Sequence, residues 1–350
     1  MLYTGPVAQH LPAVLESLDA SEVFLLADDN TARDCVPVLR EAVPALARAS
    51  LVVLPAGERH KTVDTTTRIW DHLVEARADR HAVLVCLGGG VVTDVGGFAA
   101  GCYKRGIRFV HVPTTVLGQV DAAIGGKTGV DFGGLKNSVG LFRMPEAVVA
   151  DPAFLATLPP REVRSGMAEM YKHALIRDPG HWAELKGGLG ADLLARPDRD
   201  ALIARSQAIK GAIVAADPEE RGLREALNFG HSVGHAIESV LLASPAPALH
   251  GEAVAAGMIC EAYLSEELTG LDAAAVADVD ATLTAVYGRL TLRANRLASV
   301  LALVANDKKN RGGVTRMTLL RRIGEPRLGV RVEARSVARA VERYVASSPA

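Results

Sequence analysis

Cysteine is scarce and scattered: Cys35, Cys86, Cys102 and Cys260 are the only four in 350 residues, and no two stand in CxxC spacing. This excludes a disulfide framework and a thiolate zinc site, and fits a reducing cytoplasm. Net charge is nearly absent too, at -1, so there is no general basic field for nucleic acid and no acidic tail; any anion must be held by locally placed cations. No apolar run approaches the roughly 20 residues that span a bilayer, and no basic start is followed by an apolar stretch, so neither membrane insertion nor secretion is expected. Internal repeats and low-complexity tracts are missing, apart from a Ser/Pro/Ala tail and a possible loop at 244–248. What is present is ordinary: 49% hydrophobic and 23% charged residues, enough for one large or two medium domains around real cores.

Short β-branched runs recur in the first half: Val23 to Leu26, Leu51 to Leu54, Val83 to Leu87, Phe109 to Val112 and Ala147 to Ala150. Between the first three lie helix-length periodic segments, 32–42 after the possible caps Asn30 and Thr31, and 65–76. Strand alternating with helix predicts a parallel sheet flanked by helices over residues 1–150. From 151 to 350 the pattern turns to Ala/Leu/Arg-rich helical stretches, such as 161–176, 201–216 and 273–290, and an all-α domain is expected.

Gly88-Gly89-Gly90 follows a strand and should open a helix, as a turn that lets backbone N–H groups approach a pyrophosphate does. GxGxxG would need glycine where Thr93 stands, so a tight turn without ligand remains an alternative. Gly125-Gly126-Lys127-Thr128 is not a Walker A loop, because Asp121 occupies its first glycine position. It remains a Gly-rich segment carrying Lys127, followed by Lys136-Asn137 and preceded by Lys104 and Arg105. Such cations suit a phosphate, although each alone could be a solvated surface residue. In the helical half, His231 and His235 stand four apart on one helix face. Ser232 replaces the glutamate of HExxH, which removes the general base of peptide hydrolysis. With His250 and Glu169 they point to a metal site of mixed nitrogen and oxygen ligands. Glu169 and Lys172 alone would read as a surface ion pair.

Taken together these segments resemble the 3-dehydroquinate synthases of the sugar phosphate cyclase superfamily. The matching stretches run in order from about Ala27 to Asn310: Gly57-Glu58 with Lys61, residues 88–100, Val112 to Thr115, Gln119 to Asp121, residues 125–132, Leu135 to Asn137, Arg164 to Gly166 with Glu169 and Lys172, residues 227–236, residues 249–253, and Asp307-Lys308-Lys309-Asn310. The resemblance implies an α/β nucleotide-binding domain with a parallel sheet plus an all-α domain, a cytoplasmic homodimer, and no nucleic-acid or membrane partner. It places NAD at Asp28, Asn30, Glu58, Lys61, Gly89, Gly90, Asp94, Thr114, Thr115 and Thr157, with Lys127 and Lys136 also near the cofactor. Glu169, His231 and His250 match the ligands of a divalent metal, zinc or cobalt, which leaves His235 to the substrate. Asp121, Lys172 and Asn228 match groups around the reacting hydroxyls. Lys127, Lys136, Asn137, Lys210 and Arg224 match contacts to substrate anions, and Arg105 is expected to reach the neighbouring subunit. One of Lys308 and Lys309 should face the site. The chain departs from the pattern at Met170-Tyr171 and at Asp131-Phe132, without losing a group the chemistry needs.

In that family 3-deoxy-arabino-heptulosonate 7-phosphate becomes 3-dehydroquinate and phosphate, in the shikimate pathway to aromatic amino acids. NAD oxidises a hydroxyl, the neighbouring C–H becomes acidic, phosphate leaves, the hydride returns, and the ring closes by an internal aldol step. Rivals are a valiolone-type or deoxyinosose cyclase, an iron-type polyol dehydrogenase, whose substrate has no phosphate to explain Lys127, Lys136 and Arg224, and a silent NAD-binding paralogue.

Overall fold

Runs of β-branched residues form strands when both faces of the sheet are covered. The computed structural model describes residues 1–133, 135–188, 192–242, 244, 247–292, 294–305 and 315–347. Its first compact unit, Met1–Pro159, carries β1 (Leu2–Thr4), α1 (Val7–Leu18), β2 (Val23–Asp28), α2 (Asp29–Asp34), α3 (Val36–Ala42), β3 (Ser50–Leu54), α4 (Val63–Glu75), β4 (Val83–Gly88), α5 (Gly90–Cys102), β5 (Arg108–Pro113), β6 (Lys127–Phe132), β7 (Leu135–Phe142) and β8 (Ala147–Ala150). Six strands form one parallel sheet in the order β1-β8-β5-β4-β2-β3. Because side chains alternate along a strand, Leu25, Val85 and Val110 pack with α1 and α3, whereas Phe24, Leu26, Leu84 and Cys86 pack with α4 and α5.

All five apolar runs expected as strands are strands. The helix expected over 32–42 is two helices, because Pro37 lies at the start of α3 and cannot continue the α2 ladder. The cap of α2 is Asp28, not Asn30 or Thr31: its carboxylate accepts the Thr31 N–H at 2.8 Å, and the Thr31 hydroxyl accepts the Asp28 N–H at 2.9 Å. The Gly-rich segment after Asp121, for which the sequence predicts no element, is ordered as a strand pair. From Lys127 it pairs as the antiparallel hairpin β6–β7, where Gly129 and Gly140 let the strands approach: a Cβ on Gly140 would sit 2.3 Å from the Thr128 carbonyl oxygen.

The second compact unit, Pro160–Ala350, contains α6 (Pro160–Arg177), α7 (Pro179–Gly187), α8 (Arg199–Ala216), α9 (His231–Leu242), α10 (His250–Thr269), α11 (Ala273–Tyr287), α12 (Ala294–Ala305), β9 (Arg316–Arg322), β10 (Glu325–Arg331) and α13 (Ala334–Ala346). The unit is not all-α as expected: the antiparallel hairpin β9–β10 stands among these helices, its short buried run, Met317 to Leu320, flanked by arginines that leave only four positions in a row to mark it. The helices α9 and α10 touch backbone to backbone. A Cβ on Gly257 would lie 2.0 Å from the Gly230 carbonyl oxygen, so only glycine fits there. Among the described residues no helix is long and apolar enough to cross a membrane.

Candidate active site

In the first unit the chain leaves β2 for β3 on one side and returns to β4 on the other. That reversal is where open α/β sheets bind ligands, outside the carboxyl ends of the strands. Register fixes what stands there. β2 ends at Asp28 and β4 at Gly88, with Leu26 opposite Cys86. Pro113 pairs with Gly88, so Thr114 and Thr115 follow alongside, and the Thr114 N–H donates to the Gly88 carbonyl at 3.0 Å. Gly89 caps α5, and a Cβ there would meet the Thr115 methyl at 3.0 Å. The backbone N–H groups opening α5 thus lie beside a side-chain-free turn, which suits a pyrophosphate. The packing task of the third fingerprint glycine falls to Gly96 one turn on, whose absent Cβ would lie 2.5 Å from the Cys86 sulfur. Thr93 is buried, with its hydroxyl donating to the Gly90 carbonyl at 3.0 Å.

A charged network adjoins this turn. Lys61 is only 4% exposed, and its ammonium donates to Asp94 Oδ2 and to Asn137 Oδ1, each at 2.5 Å. Burial lowers the Lys61 pKa, but Asp94 and Glu58 more than offset this and raise it, so the residue stays charged. Lys136 pairs with Glu58 at 3.0 Å. Asn137 has a left-handed backbone, φ 50°; its N–H donates to Asp131 Oδ1 at 2.7 Å, while the Asp131 N–H donates to the Lys61 carbonyl at 2.8 Å. Asp131, one of the two departures from the family pattern, therefore ties Lys61 to the Lys136-Asn137 strand. Asp121 lies in the turn Gly118–Ala122, and Lys127 opens β6 with its side chain exposed. Asn30, on α2, and Arg105 and Thr157, each at the end of a short 3-10 turn, are exposed and stand outside this network. Lys104 and Arg105 both carry positive φ, 47° and 67°, a strain on the order of 1 kcal/mol or more each that accompanies functional turns.

The second unit builds the metal candidate from three helices. On α6, Ser165 and Glu169 are one turn apart. The Ser165 hydroxyl accepts the Gly251 N–H at 3.0 Å, and a Cβ on Gly251 would lie 1.9 Å from the Ser165 carbonyl oxygen. This close approach brings His250, the first residue of α10, to Glu169. Preceding α9, Gly230 has φ 81° and completes the turn that aims His231 inward. Glu261, fully buried on α10, accepts the N–H groups of Gly230 at 2.6 Å and Val233 at 3.1 Å and so anchors the start of α9. Sequence inspection missed Glu261, since only the fold shows a glutamate facing a helix N-terminus.

Glu169 Oε1 then lies 3.5 Å from His231 Nε2 and 3.4 Å from His250 Nε2, and one ligand atom from each of the three residues falls within 4.8 Å of the others. Donors held about 2.0–2.1 Å from a tetrahedral zinc lie roughly 3.3 Å apart, so this two-nitrogen, one-oxygen set fits a divalent ion. His231 Nδ1 faces the Phe229 carbonyl at 3.2 Å, which leaves Nε2 as the donor atom. Burial lowers the His250 pKa, but Glu169 and Glu238 outweigh it and raise it to about 10; the position attracts a cation. Lys172 pairs with the other Glu169 oxygen, and both are buried, so this is no surface ion pair. His235 stands beside both ligand rings, with centroids 5.1 Å from His231 and 5.8 Å from His250. Lys210 and Arg224 are buried; Arg224 donates from Nη1 to the Pro218 carbonyl at 2.6 Å, and Asn228 donates to Glu220 at 3.0 Å. Lys308 and Lys309 lie outside the described residues.

Comparison with known proteins shows the family. The 3-dehydroquinate synthase N-terminal family matches residues 51–165 and its C-terminal counterpart residues 166–310. A 3-dehydroquinate synthase of Parabacteroides distasonis is 40% identical over 94% of this chain and 93% of its own, and one of Halorhodospira halophila is 42% identical over 93% and 90%. Among solved structures, 2-epi-5-epi-valiolone synthase of Streptomyces hygroscopicus with NAD+ and Zn2+ bound superposes with a TM-score of 0.86 at 29% identity, covering 99% of this chain and 96% of that one. A protein of Sinorhizobium meliloti described as a probable glycerol dehydrogenase, at 17% identity and a TM-score of 0.66 over 99% and 96%, shares the fold alone. The ordered motifs, the glycine turn at the strand reversal, the Glu-His-His cluster and these relatives agree: the chain belongs to the 3-dehydroquinate synthase family.

Proposed function

We propose that the chain is a 3-dehydroquinate synthase, a phosphate-eliminating lyase of the shikimate pathway that uses NAD and a divalent metal, zinc or cobalt, to turn 3-deoxy-arabino-heptulosonate 7-phosphate into 3-dehydroquinate. The observation that carries this reading is the convergence of Glu169, His231 and His250 beside the buried Lys172, in a chain of this family. Glu169, His231 and His250 hold the metal, and Asp28, Asn30, Glu58, Lys61, Gly89, Gly90, Asp94, Thr114, Thr115 and Thr157 hold NAD. Bound there, NAD supplies reversible hydride transfer and the metal polarises the oxygen that is oxidised. Lys172, with its ammonium fixed by Glu169, stabilises charge at that hydroxyl, and Asp121 orients it. Asn228 and His235 contact the substrate, Lys127, Lys136 and Asn137 hold its phosphate end, and Lys210 and Arg224 take its carboxylate.

A cytoplasmic homodimer with Arg105 reaching the partner belongs to the same proposal. It is supported by the exposed apolar side chains Phe132, Leu135, Leu141 and Phe142 on β6–β7, which a second copy would cover. Exhaustive chelation should abolish turnover and added zinc or cobalt should restore it, with no NADH accumulating as product forms. Activity that survives chelation, or NADH formed in step with product, would contradict the proposal.

A further inference from the structure

We propose that Glu238 is a positioning residue that fixes the tautomer and orientation of His250, an inference that rests on the metal reading above. A neutral imidazole has one protonated and one lone-pair nitrogen, and the partner of one decides the role of the other. In His250 both nitrogens face carboxylates: Nε2 lies 3.4 Å from Glu169 Oε1, and Nδ1 lies 3.4 Å from Glu238 Oε2. Without a metal both nitrogens donate to these carboxylates; with an ion bound, Nε2 would give up its proton to become the ligand atom, and because an ionised carboxylate only accepts, Glu238 would keep the remaining proton on Nδ1.

The two histidine ligands are held differently. His231 donates to a neutral backbone carbonyl, that of Phe229, whereas His250 donates to a charge, which makes its ring the more basic ligand. Helix geometry explains how Glu238 reaches it. On α9, His231, His235 and Glu238 stand at successive positions of one face, four and then three residues apart, so one helix contributes a ligand, a substrate contact and the group that orients a ligand from α10. Glu238 is only 5% exposed, and burying a carboxylate is unfavourable unless a polar partner receives it; His250 is such a partner.

The test compares wild-type protein with Glu238→Gln and Glu238→Ala, each stripped and reloaded, by zinc competition against a chelator, by the visible spectrum of the cobalt form, and by thermal unfolding without metal. Glu238→Ala should weaken zinc about 10–100-fold and alter the cobalt bands. Glu238→Gln keeps an oxygen that accepts from Nδ1 and should lose clearly less. Wild-type zinc affinity in Glu238→Ala, or equal losses in both variants, would overturn the proposal. If the alanine variant does not fold, the exchangeable ring N–H of His250 in the cobalt-loaded wild type decides: slow exchange with solvent supports the hydrogen bond, and fast exchange refutes it. A wild type that binds no stoichiometric metal would remove the metal reading as well, whereas normal binding by wild type and both variants would remove this inference alone.

Discussion

Lys61 carries more of the nucleotide-side architecture than its single position in the sequence suggests. Its buried ammonium is neutralised by Asp94. Removing that partner leaves the buried ammonium with the weaker compensation of Glu58 and Asp131, at a cost of about 1–3 kcal/mol. Asp94→Ala should therefore lower stability in urea by that order and weaken NAD binding; an unchanged unfolding midpoint would contradict the network. Two other buried groups make the fold less favourable in acid. Burial pushes the His111 pKa down to about 3, and burial followed by the nearby Arg205 takes His181 down to about 4. In the unfolded chain both titrate near 6.5. Below that pH the unfolded state binds more protons than the folded state, so stability present above pH 6.5 is lost as pH falls toward 4 and then 3, at about 1.4 kcal/mol per pH unit for each group. His181→Asn should flatten the slope of unfolding free energy against pH by that amount between pH 6 and 4. The candidates His231, His235 and His250 were legible as residues because histidines four apart and a downstream histidine are chemically conspicuous, whereas the choice of Glu169, His231 and His250 as the ligand set rests on the resemblance. Lys61 was legible only through resemblance, and Glu261 and Glu238 were not, since their partners lie on other helices.

At the scale of elements, the five buried strands could be read because parallel strands covered on both faces leave continuous apolar runs. The hairpin β6–β7 could not, because Gly129 and Gly140, which permit the close strand pairing, interrupt the apolar alternation that marks a strand. β1 is three residues long, too short for a pattern. How α9 begins is likewise a property of two elements. Glu261 accepts two of its otherwise orphaned N–H groups and adds negative charge at the positive end of the helix. Glu261→Ala should lower the unfolding free energy of the metal-free protein by about 2–4 kcal/mol, since each buried donor left without an acceptor costs about 1–3 kcal/mol. It should also weaken zinc binding, because His231 is the first residue of that helix. Wild-type stability in urea together with wild-type zinc affinity would refute the anchoring role.

For the whole molecule the central question is which phosphate the enzyme cyclises, and the substrate carboxylate decides it. A heptulosonate phosphate carries anions at both ends, whereas sedoheptulose 7-phosphate and glucose 6-phosphate carry one. Arg224 and Lys210, buried cations of the helical unit, are meaningful if the second anion must be held. A guanidinium–carboxylate pair in a desolvated site contributes about 2 kcal/mol or more to transition-state binding. Arg224→Ala should then lower kcat/KM on the keto-acid phosphate about 30-fold or more. The most direct measurement is phosphate release by the NAD- and zinc-loaded wild-type enzyme from each of the three compounds, with the cyclic product identified. Rapid release from 3-deoxy-arabino-heptulosonate 7-phosphate yielding 3-dehydroquinate, with both sugar phosphates poor, is the expected result; faster cyclisation of either sugar phosphate would contradict it.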